Sequence, residues 1–462
     1  MCGINAIFAW HPSAPPLRAD ELMRTREAMR TRGPDAAGAW ISPDRRLALG
    51  HRRLSILDLH ERANQPMLMR GAAIVFRDAV IAFNGEIYNH GELRAASGER
   101  FDTTSDTEVL LRLVLREGPS ILPRLRGMFA FALWNDVTRT LLLARDPYGI
   151  KPLYLADDGR TLRAASQVKA LLAGGGVPAT RDPAGIAGFL LRGSVPEPFT
   201  LYESIRALPA GHWLEVTPSG PTEPRPYVSV ARVWFDAAQQ PVRLLRAERQ
   251  ALIAEGVRDS VRAHLVSDVP VGAFLSAGRD SGTVVALAAE TGIPLQTVTL
   301  RFDGQAGTRH DEGPLASLVA RQYGTAHTTV TISADEFRSE LPRALESTLF
   351  LRNQLLRDLD WCSMAHSLEV RVPLVDHFLL QQVAPFVLAG DGKELLTHAP
   401  RRPLPAAVLQ RSKTGFTIPA REWLDTTPVR ARIHSFGRRN WALHLLDLWS
   451  TATPVAAFDG HE

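Results

Sequence analysis

The second residue of the chain is a cysteine whose position suits a nucleophile. The chain begins Met1-Cys2-Gly3-Ile4, so that removal of Met1 would leave Cys2 as the first residue. A thiol needs a base at neutral pH, and the free α-amine of an N-terminal residue titrates near pH 8. Gly3 permits close approach of a substrate, and the apolar run after it would bury a strand. Cys2 is therefore a candidate nucleophile, the alternative being a chance cysteine at a frayed terminus.

A second candidate group is the pair Asn84-Gly85, which opens the segment Asn-Gly-Glu-Ile-Tyr-Asn (84–89). Asn-Gly favours a tight turn. At such a turn the side-chain amide of Asn84 and the backbone N–H of Gly85 could converge on one oxygen. A tetrahedral intermediate of amide hydrolysis requires donors of this kind. A plain hairpin turn is the alternative interpretation.

Two charged residues suit an amino-acid substrate. Arg53 could pair with an α-carboxylate, and Asp106 could accept hydrogen bonds from an α-ammonium group. Each would otherwise be a surface charge.

A further constellation lies in the segment 276–281, Ser-Ala-Gly-Arg-Asp-Ser, between an apolar strand and a helix start. Backbone N–H groups and the positive helix end would form a nest for pyrophosphate. Ser276 and Ser281 can donate hydroxyls, Gly278 lets phosphates approach, and Asp280 can hold Mg²⁺. The alternative is an ordinary helix cap, because Asp and Ser are good caps.

The secondary-structure elements that must position Cys2, Asn84, Arg53 and Asp106 are short. The first 190 residues or so alternate β-type runs with turns, and two helical stretches interrupt them, Ala19–Thr31 and Ser105–Glu117. The β-type runs are Ile4–Trp10, Leu47–Leu49, Val80–Asn84, Phe129–Trp134 and Thr140–Ala144. This pattern indicates a layered α/β domain, residues 1–194, whose sheets are antiparallel.

A Pro-rich stretch, 195–245, is interpreted as a connection with a small hairpin and as the domain boundary. From 246 to 462 strands alternate with helices, which predicts a parallel, doubly wound sheet. Its strands are expected at Val269–Leu275, Leu295–Phe302 and His327–Ile332.

Composition excludes several classes of protein. The 462 residues carry a net charge of +4, with no basic block interleaved with aromatics, so no nucleic-acid partner is expected. No stretch of membrane-spanning length and no secretory signal is found, so no membrane association is expected. The two cysteines, Cys2 and Cys362, indicate no disulfide framework and fit a cytoplasmic protein. Cys362 is expected to be a small buried residue.

Six motifs of the first half, in order, resemble the class II glutaminase domain of glutamine-hydrolysing asparagine synthetases. They are Met-Cys-Gly-Ile (1–4), Arg-Gly-Pro-Asp (32–35), Gly-His-Arg-Arg-Leu-Ser-Ile (50–56), Asn-Gly-Glu-Ile-Tyr-Asn (84–89), Ser-Asp-Thr-Glu (105–108) and Ala-Arg-Asp-Pro-Tyr-Gly-Ile-Lys-Pro-Leu-Tyr (144–154). The resemblance implies an Ntn-type sandwich of antiparallel sheets between helices. It implies Cys2 as nucleophile and Asn84 with Gly85 as oxyanion donors. It also implies that glutamine is bound by Arg53, Glu86 and Asp106.

The second half resembles the synthetase domain of the same family, an ATP-pyrophosphatase-type fold. Segment 276–281 is similar to its Ser-Gly-Gly-x-Asp-Ser loop, with departures at Ala277 and Arg279. The segments 361–376 and 411–416 are also similar to asparagine synthetases. The resemblance implies ATP and Mg²⁺ as cofactors, and the further ATP-site residues that it implies are Leu300 against adenine, Asp376 near the nucleotide and Lys413 on the phosphates.

One family motif, Ser-Gly-x-Gly-x-Asp-Glu, has no counterpart between Ile332 and Trp361, and the intervening segment is interpreted as lost near Glu346–Ser347. Glutamine-dependent asparagine synthesis is the function that the resemblance implies, in a possible homodimer. Amidation of another carboxylate and a degenerate nucleotide-binding protein that keeps only glutaminase activity are the alternatives. A sugar or phosphoribosyl amidotransferase is disfavoured by the pyrophosphatase-type loop.

Overall fold

The computed structural model describes residues 2–69, 79–192, 194–336, 355–387 and 392–412. Lys413 and the segment around Glu346 lie outside these ranges. The α-helices, numbered here along the chain, are α1 Ala19–Glu27, α2 His90–Ser97, α3 Asp106–Glu117, α4 Val168–Ala173, α5 Pro183–Arg192, α6 Val230–Gln239, α7 Arg246–His264, α8 Arg279–Ala289, α9 Gly313–Tyr323, α10 Leu355–Ala365, α11 His377–Val387, α12 Gly392–Leu396 and α13 Ala406–Leu409. Short 3₁₀ turns cover Arg30–Arg32, Glu61–Ala63 and Gly118–Arg124.

The strands form three sheets. In chain order they are β1 Gly3–Phe8, β2 Ala36–Ile41, β3 Leu47–Arg53, β4 Met67–Met69, β5 Ala79–Ile87, β6 Gly127–Asn135, β7 Thr140–Arg145, β8 Tyr154–Asp157, β9 Leu162–Ala165, β10 Arg206–Ala207, β11 His212–Thr217, β12 Gly220–Pro221, β13 Arg225–Pro226, β14 Gly272–Phe274, β15 Gln296–Phe302 and β16 Ala326–Ile332.

The first two sheets are antiparallel and stack face to face. One has the order β10-β8-β9-β1-β3-β2, and the other has the order β12-β11-β7-β6-β5-β4, with β13 beside β11. Alternate residues of β1, Ile4, Ala6 and Phe8, join a core shared with Val80 and Trp134 of the second sheet. The period of two along a strand therefore directs one face of β1 into the space between the sheets.

Helices cover the two outer faces of this sandwich. Ile7 of β1 packs with Leu22 of α1 on one side. On the other side α3 contributes Leu110 and Val114 to a core with Phe83 of β5. The side chain of Ser105 accepts a hydrogen bond from the N–H of Thr107 and so caps α3. The α/β/β/α sandwich expected from the sequence is confirmed.

The Pro-rich stretch that was interpreted as a connection belongs in part to the sandwich. Strand β10 pairs with β8, which adds one strand to the first sheet, and β11 pairs with β7 and carries β12 and β13, which adds three strands to the second. Strands β10, β12 and β13 have only two residues each, which is too few to show the alternation that marks a strand.

The third sheet is parallel, with the order β14-β15-β16, and helices α8 and α9 connect its strands. This arrangement confirms the predicted parallel sheet of the second half. A separate core lies between its helices, where Val257 of α7 meets Val285 of α8, Val319 of α9 and Leu379 of α11. No helix of the described ranges is long and apolar enough to cross a bilayer.

Cys362 is exposed, and the expectation that it is buried was wrong. It lies on α10, where Asp360 and Met364, four residues apart, face inward. Residue 362 points about 200° from residue 360 around a helix of 3.6 residues per turn, so it faces away from the core.

Candidate active site

A small pocket lies beside Cys2 in the first domain. Five of the six residues predicted to act on glutamine line it, namely Cys2, Arg53, Gly85, Glu86 and Asp106. The sixth, Asn84, does not line the pocket but accepts a hydrogen bond from the N atom of Cys2. The sequence motifs thus converge on one pocket, although they are spread over more than a hundred residues of the chain.

The main-chain N and O atoms of Cys2 are both hydrogen-bonded. Its N atom donates to the Oδ1 of Asn84 at 3.1 Å, and its carbonyl accepts from the Nε of Arg32 at 3.0 Å. The thiol lies 3.9 Å from the carbonyl oxygen of Leu54. The close approach at Gly3 is to Met29, since a Cβ there would lie 2.8 Å from the Cβ of Met29. The start of β1 is therefore fixed on both sides.

Burial raises the pKa of the Cys2 thiol. A buried thiol that resists ionisation needs a base at hand to become a nucleophile. Once Met1 is removed, the N atom held by Asn84 is the α-amine, which titrates within reach of neutral pH. The hydrogen bond from this nitrogen to Asn84 fixes it next to the thiol of the same residue.

The side chain of Asn84 has one unsatisfied donor. Its Oδ1 accepts from Cys2, which orients the amide, while its Nδ2 is buried and has no partner within the part of the chain that the structure describes. A buried amide donor is rarely left unpaired. An oxygen that arrives in the pocket would satisfy it.

The predicted turn at Asn84-Gly85 was wrong. Both residues lie inside β5, where they pair with Ala130 and Phe129 of β6. Gly85 has φ +153°, and a Cβ there would lie 2.1 Å from the carbonyl oxygen of Met128. Tertiary pairing thus overrides the local preference of Asn-Gly, and the glycine is required by the close approach of β6.

Arg53 lies in the pocket wall, but its guanidinium is already engaged. Its Nη1 donates to the carbonyl of His60 at 3.0 Å and to the Oδ1 of Asn64 at 2.7 Å, and its Nη2 donates to the carbonyls of Leu57 and Asp58. Arg53 therefore also holds the loop after β3 that forms one side of the pocket.

Replacing Arg53 by alanine is expected to raise the KM for glutamine at least about tenfold and to change kcat much less. A charge-assisted hydrogen bond is typically worth about 1.5–3 kcal/mol, and a group that holds the α-carboxylate throughout the reaction stabilises ground and transition states equally. Asn64→Ala is the control, since it removes one loop contact of Arg53 and keeps the guanidinium. Steady-state glutaminase kinetics measure both constants. A fall in kcat with unchanged KM would contradict this role.

Three buried carboxylates, those of Glu86, Asp106 and Glu369, lie close together at the far side of the pocket. Burial, with the neighbouring Glu369 and Asp106, raises the pKa of Glu86 well above its ordinary range. Burial also raises the pKa of Asp106, whose Oδ2 accepts from the N–H of Ile87 at 2.9 Å. A cation placed here would relieve this repulsion. The region suits the α-ammonium group of an amino acid.

Two residues of the second domain reach this region. The Nε of Arg371 donates to Glu369 at 2.6 Å, and its Nη2 lies 3.8 Å from Glu86. Its guanidinium also lies over the ring of Tyr88, 5.6 Å from the centroid. The back of the pocket beside Cys2 is therefore completed by residues more than 280 positions away from Glu86 in the sequence.

The loop 276–281 follows β14 and leads into α8. The hydroxyls of Ser276 and Ser281 lie 2.8 Å apart, and the N–H of Gly278 donates to Ser276 at 3.1 Å. The strand–loop–helix context predicted for a phosphate site is present. In this state its polar groups bond to one another across the loop.

Two charges of this loop contact the C-terminal helices. The carboxylate of Asp280 bonds the ammonium of Lys393 at 2.7 Å, and Arg279 donates to the carbonyl of Leu409. The second carboxylate oxygen of Asp280 has no partner among the described residues. Arg279 thus points toward α13, which ends just before the predicted phosphate-contacting segment.

The other residues predicted to bind the nucleotide lie farther apart in the structure. Leu300 lies half-buried on β15, the central strand of the parallel sheet. Asp376 lies at the interface with the first domain, where it accepts from Arg126 at 2.7 Å and from the hydroxyl of Ser260 at 2.9 Å. Its other oxygen accepts from the N–H of Phe378 and caps α11.

The two-sheet sandwich, with Cys2 at the start of β1 beside Asn84, is the arrangement of a glutamine amidotransferase domain, and the family model of that description matches residues 1–228. A second family model, described as Asparagine synthase, matches residues 252–349 and 344–444. The chain therefore belongs to the family that joins a glutamine amidotransferase domain to an asparagine synthase domain.

Several curated relatives are similar over most of this chain. "Asparagine synthetase [glutamine-hydrolyzing] 1" of Bacillus subtilis is 35% identical over 347 residues, which cover 74% of this chain and 52% of the relative. "Asparagine synthetase B [glutamine-hydrolyzing]" of Escherichia coli is 39% identical over 62% of this chain and 44% of its own length. "Amidase chry2" of Gibberella zeae is 33% identical over 70% of this chain and 50% of its own length. The chain spans about half the length of the curated relatives it matches.

Sequence reasoning gave no role to several residues around the pocket. Arg32 belongs to the motif Arg-Gly-Pro-Asp, and Glu369 and Arg371 belong to the segment 361–376. Their membership in the matched motifs was the available signal. Their position around the pocket beside Cys2 depends on the docking of two domains and could not be deduced from spacing.

Proposed function

We propose that this protein is a glutamine-dependent amidotransferase of the asparagine synthetase type, in which Cys2 hydrolyses glutamine to glutamate and ammonia. The observation that carries the proposal is the buried N terminus of β1, where the N atom of Cys2 is held by Asn84 and the amide donor of Asn84 is left unpaired. Attack of the thiolate on the side-chain amide would form an oxyanion, for which Asn84 and the N–H of Gly85 are the proposed donors.

The pocket supports glutamine as the substrate. Arg53 lies on one wall and Asp106 with Glu86 on another, so an α-carboxylate and an α-ammonium group would meet charges of opposite sign. The side-chain amide would then extend toward Cys2. The test is glutamate release from L-glutamine by the purified protein, with L-asparagine as the comparison substrate. Turnover of glutamine alone is expected, and no glutamate release would overturn the proposal.

For the second domain we propose that ATP binds at the loop 276–281. Support comes from the strand–loop–helix context, in which Ser276, Gly278 and Ser281 lie at the start of α8. Leu300 is the proposed adenine contact, and Asp376 and Lys413 are the proposed further nucleotide contacts. In a synthetase with a complete nucleotide site, aspartate attacks ATP to form an aspartyl adenylate with release of pyrophosphate, and ammonia then attacks the adenylate to give asparagine with release of AMP.

The loop 276–281 offers one side chain, that of Asp280, that could coordinate Mg²⁺. Asp280 has one carboxylate oxygen without a partner among the described residues, and Mg²⁺ is usually held by one or two carboxylates together with substrate phosphates. Within the described ranges no cluster of three or more side chains suited to a metal is present. Bound Mg²⁺ would screen the phosphates, and Asp280 is the side chain that would hold it after release from Lys393.

The acceptor carboxylate and the assembly are also proposals. Aspartate is the proposed acceptor because two of the relatives are named asparagine synthetases, whereas the name of the fungal relative, an amidase, leaves amidation of another carboxylate as the second candidate. A cytoplasmic location and a homodimer complete the proposal.

Pyrophosphate release from ATP with aspartate and saturating ammonia is expected to stay at background. Adenylation brings a carboxylate against a triphosphate, so donors are needed on both sides of the phosphates, and each donor is worth ~3 kcal/mol. The loop 276–281 supplies one side. The other side, the motif Ser-Gly-x-Gly-x-Asp-Glu, has no counterpart between Ile332 and Trp361. The two matched segments of the Asparagine synthase model meet at residues 344–349, which supports the loss of a segment at this point.

The control is a variant in which the family's segment is inserted after Glu346. Recovery of pyrophosphate release in that variant would support the loss. Release by the unaltered chain at the rate of a working synthetase would show that other residues replace the missing motif.

A further inference from the structure

Three charged side chains are completely buried where the two domains meet. The carboxylate of Asp360, on α10 of the second domain, bonds the guanidinium of Arg32 at 2.7 and 3.2 Å. The ammonium of Lys151 lies 3.5 Å from the same carboxylate. The side chains of Arg32 and Lys151 are 0% exposed, and that of Asp360 is 1% exposed. No other acidic residue pairs with Arg32 or Lys151 within the described ranges.

Arg32 divides its donors between this carboxylate and the nucleophile. Its Nη atoms bond Asp360, and its Nε donates to the carbonyl oxygen of Cys2 at 3.0 Å. The planar guanidinium transmits the position of one partner to the other, because its donors form a rigid fork. Cys2 is therefore connected to a residue 358 positions away through one side chain.

Two further contacts hold helix α10 against the first domain. The hydroxyl of Ser367, just after α10, donates to the carbonyl of Thr31 at 2.6 Å. The ring of Trp361 packs against Tyr154 of the first domain, with centroids 6.3 Å apart. The helix that carries Asp360 thus lies in a fixed position over the turn Arg30–Arg32.

We infer that Asp360 is a positioning residue for the glutaminase reaction: through Arg32, the second domain holds the main chain of Cys2 in the geometry that hydrolysis needs. The inference rests on the proposed glutaminase function. Burial alone would raise the pKa of Asp360, but Arg32 and Lys151 hold it below its ordinary value, so the carboxylate is charged at neutral pH. Without that charge, two buried cations would face each other and Arg32 would leave the carbonyl of Cys2.

The test compares Asp360→Asn with Asp259→Asn. The second variant removes another ion pair between the domains, from Asp259 to Arg126 at 2.7 Å, neither of which is hydrogen-bonded to Cys2. For Asp360→Asn, kcat for glutamine is expected to fall at least about tenfold with KM within twofold, since small displacements of a reacting group cost this much or more. Asp259→Asn is expected to behave as wild type. Arg32→Lys is expected to lower kcat, and adding Asp360→Asn to it should have little further effect.

A second readout does not depend on turnover. Alkylation of Cys2 by iodoacetamide, followed on the N-terminal peptide, is expected to be faster in Asp360→Asn than in wild type, because the anchored terminus becomes mobile. If Asp360→Asn does not fold, Asp360→Glu decides, since it keeps the charge but displaces Arg32. A wild-type protein without glutamate release would refute the proposed function, and the alkylation rates would still decide this inference. Folded Asp360 variants with wild-type kcat and alkylation rate would overturn it.

Discussion

Cys2→Ala is expected to abolish glutamine hydrolysis. Alanine supplies no nucleophile, and the only other cysteine, Cys362, is exposed on α10 outside the pocket. Loss of the nucleophile in enzymes of this kind removes several orders of magnitude in kcat. Glutamate release from glutamine, measured on the purified variant, checks the result.

Cys362→Ala is the matched control and is expected to keep wild-type turnover. Blocking removal of Met1 is expected to have the same effect as Cys2→Ala, because the nitrogen held by Asn84 would then be an amide without basicity. Full glutaminase turnover in the Cys2→Ala protein would show that the nucleophile lies elsewhere.

Asn84→Ala is expected to lower kcat for glutamine about 10²–10³-fold, with a much smaller change in KM. This is the usual consequence of losing one oxyanion donor, because the donor acts on charge that exists only in the transition state. The same substitution also removes the acceptor of the Cys2 nitrogen. Steady-state kinetics of glutamate release measure both constants.

The matched control is Asn89→Ala. Asn89 is also an asparagine of the segment 84–89, but its side chain bonds the main chain of Arg124 and Arg126 away from Cys2. It is expected to change kcat by less than about tenfold. If Asn84→Ala and Arg53→Ala lowered kcat to the same extent, the assignment of Asn84 as oxyanion donor and Arg53 as substrate-binding residue would be contradicted.

The sandwich, and the grouping of Cys2, Asn84 and Asp106 at one place in it, could be predicted from the sequence because their signals are local. The apolar alternation of β1 and the cap of α3 at Ser105 are properties of neighbouring residues. The six motifs of the first half then brought Cys2, Asn84 and Asp106 to one site through the resemblance to a known family.

Two features could not be predicted because long-range packing decides them. Asn84-Gly85 has the local preference of a turn, yet β6 pairs along the whole of β5 and keeps both residues extended. The contact of Asp360 with Arg32 spans 328 residues and exists only when α10 docks on the first domain. No periodicity or spacing in the chain carries that information.

The most direct measurement is the mass of the protein after reaction with a glutamine analogue that carries a diazoketone in place of the side-chain amide. Attack by a thiolate displaces nitrogen gas and leaves one covalent adduct. We expect a single adduct on a peptide that begins with Cys2 and lacks Met1, and we expect excess glutamine to protect it. An adduct on Cys362, or no adduct under conditions in which the protein releases glutamate from glutamine, would contradict Cys2 as the nucleophile.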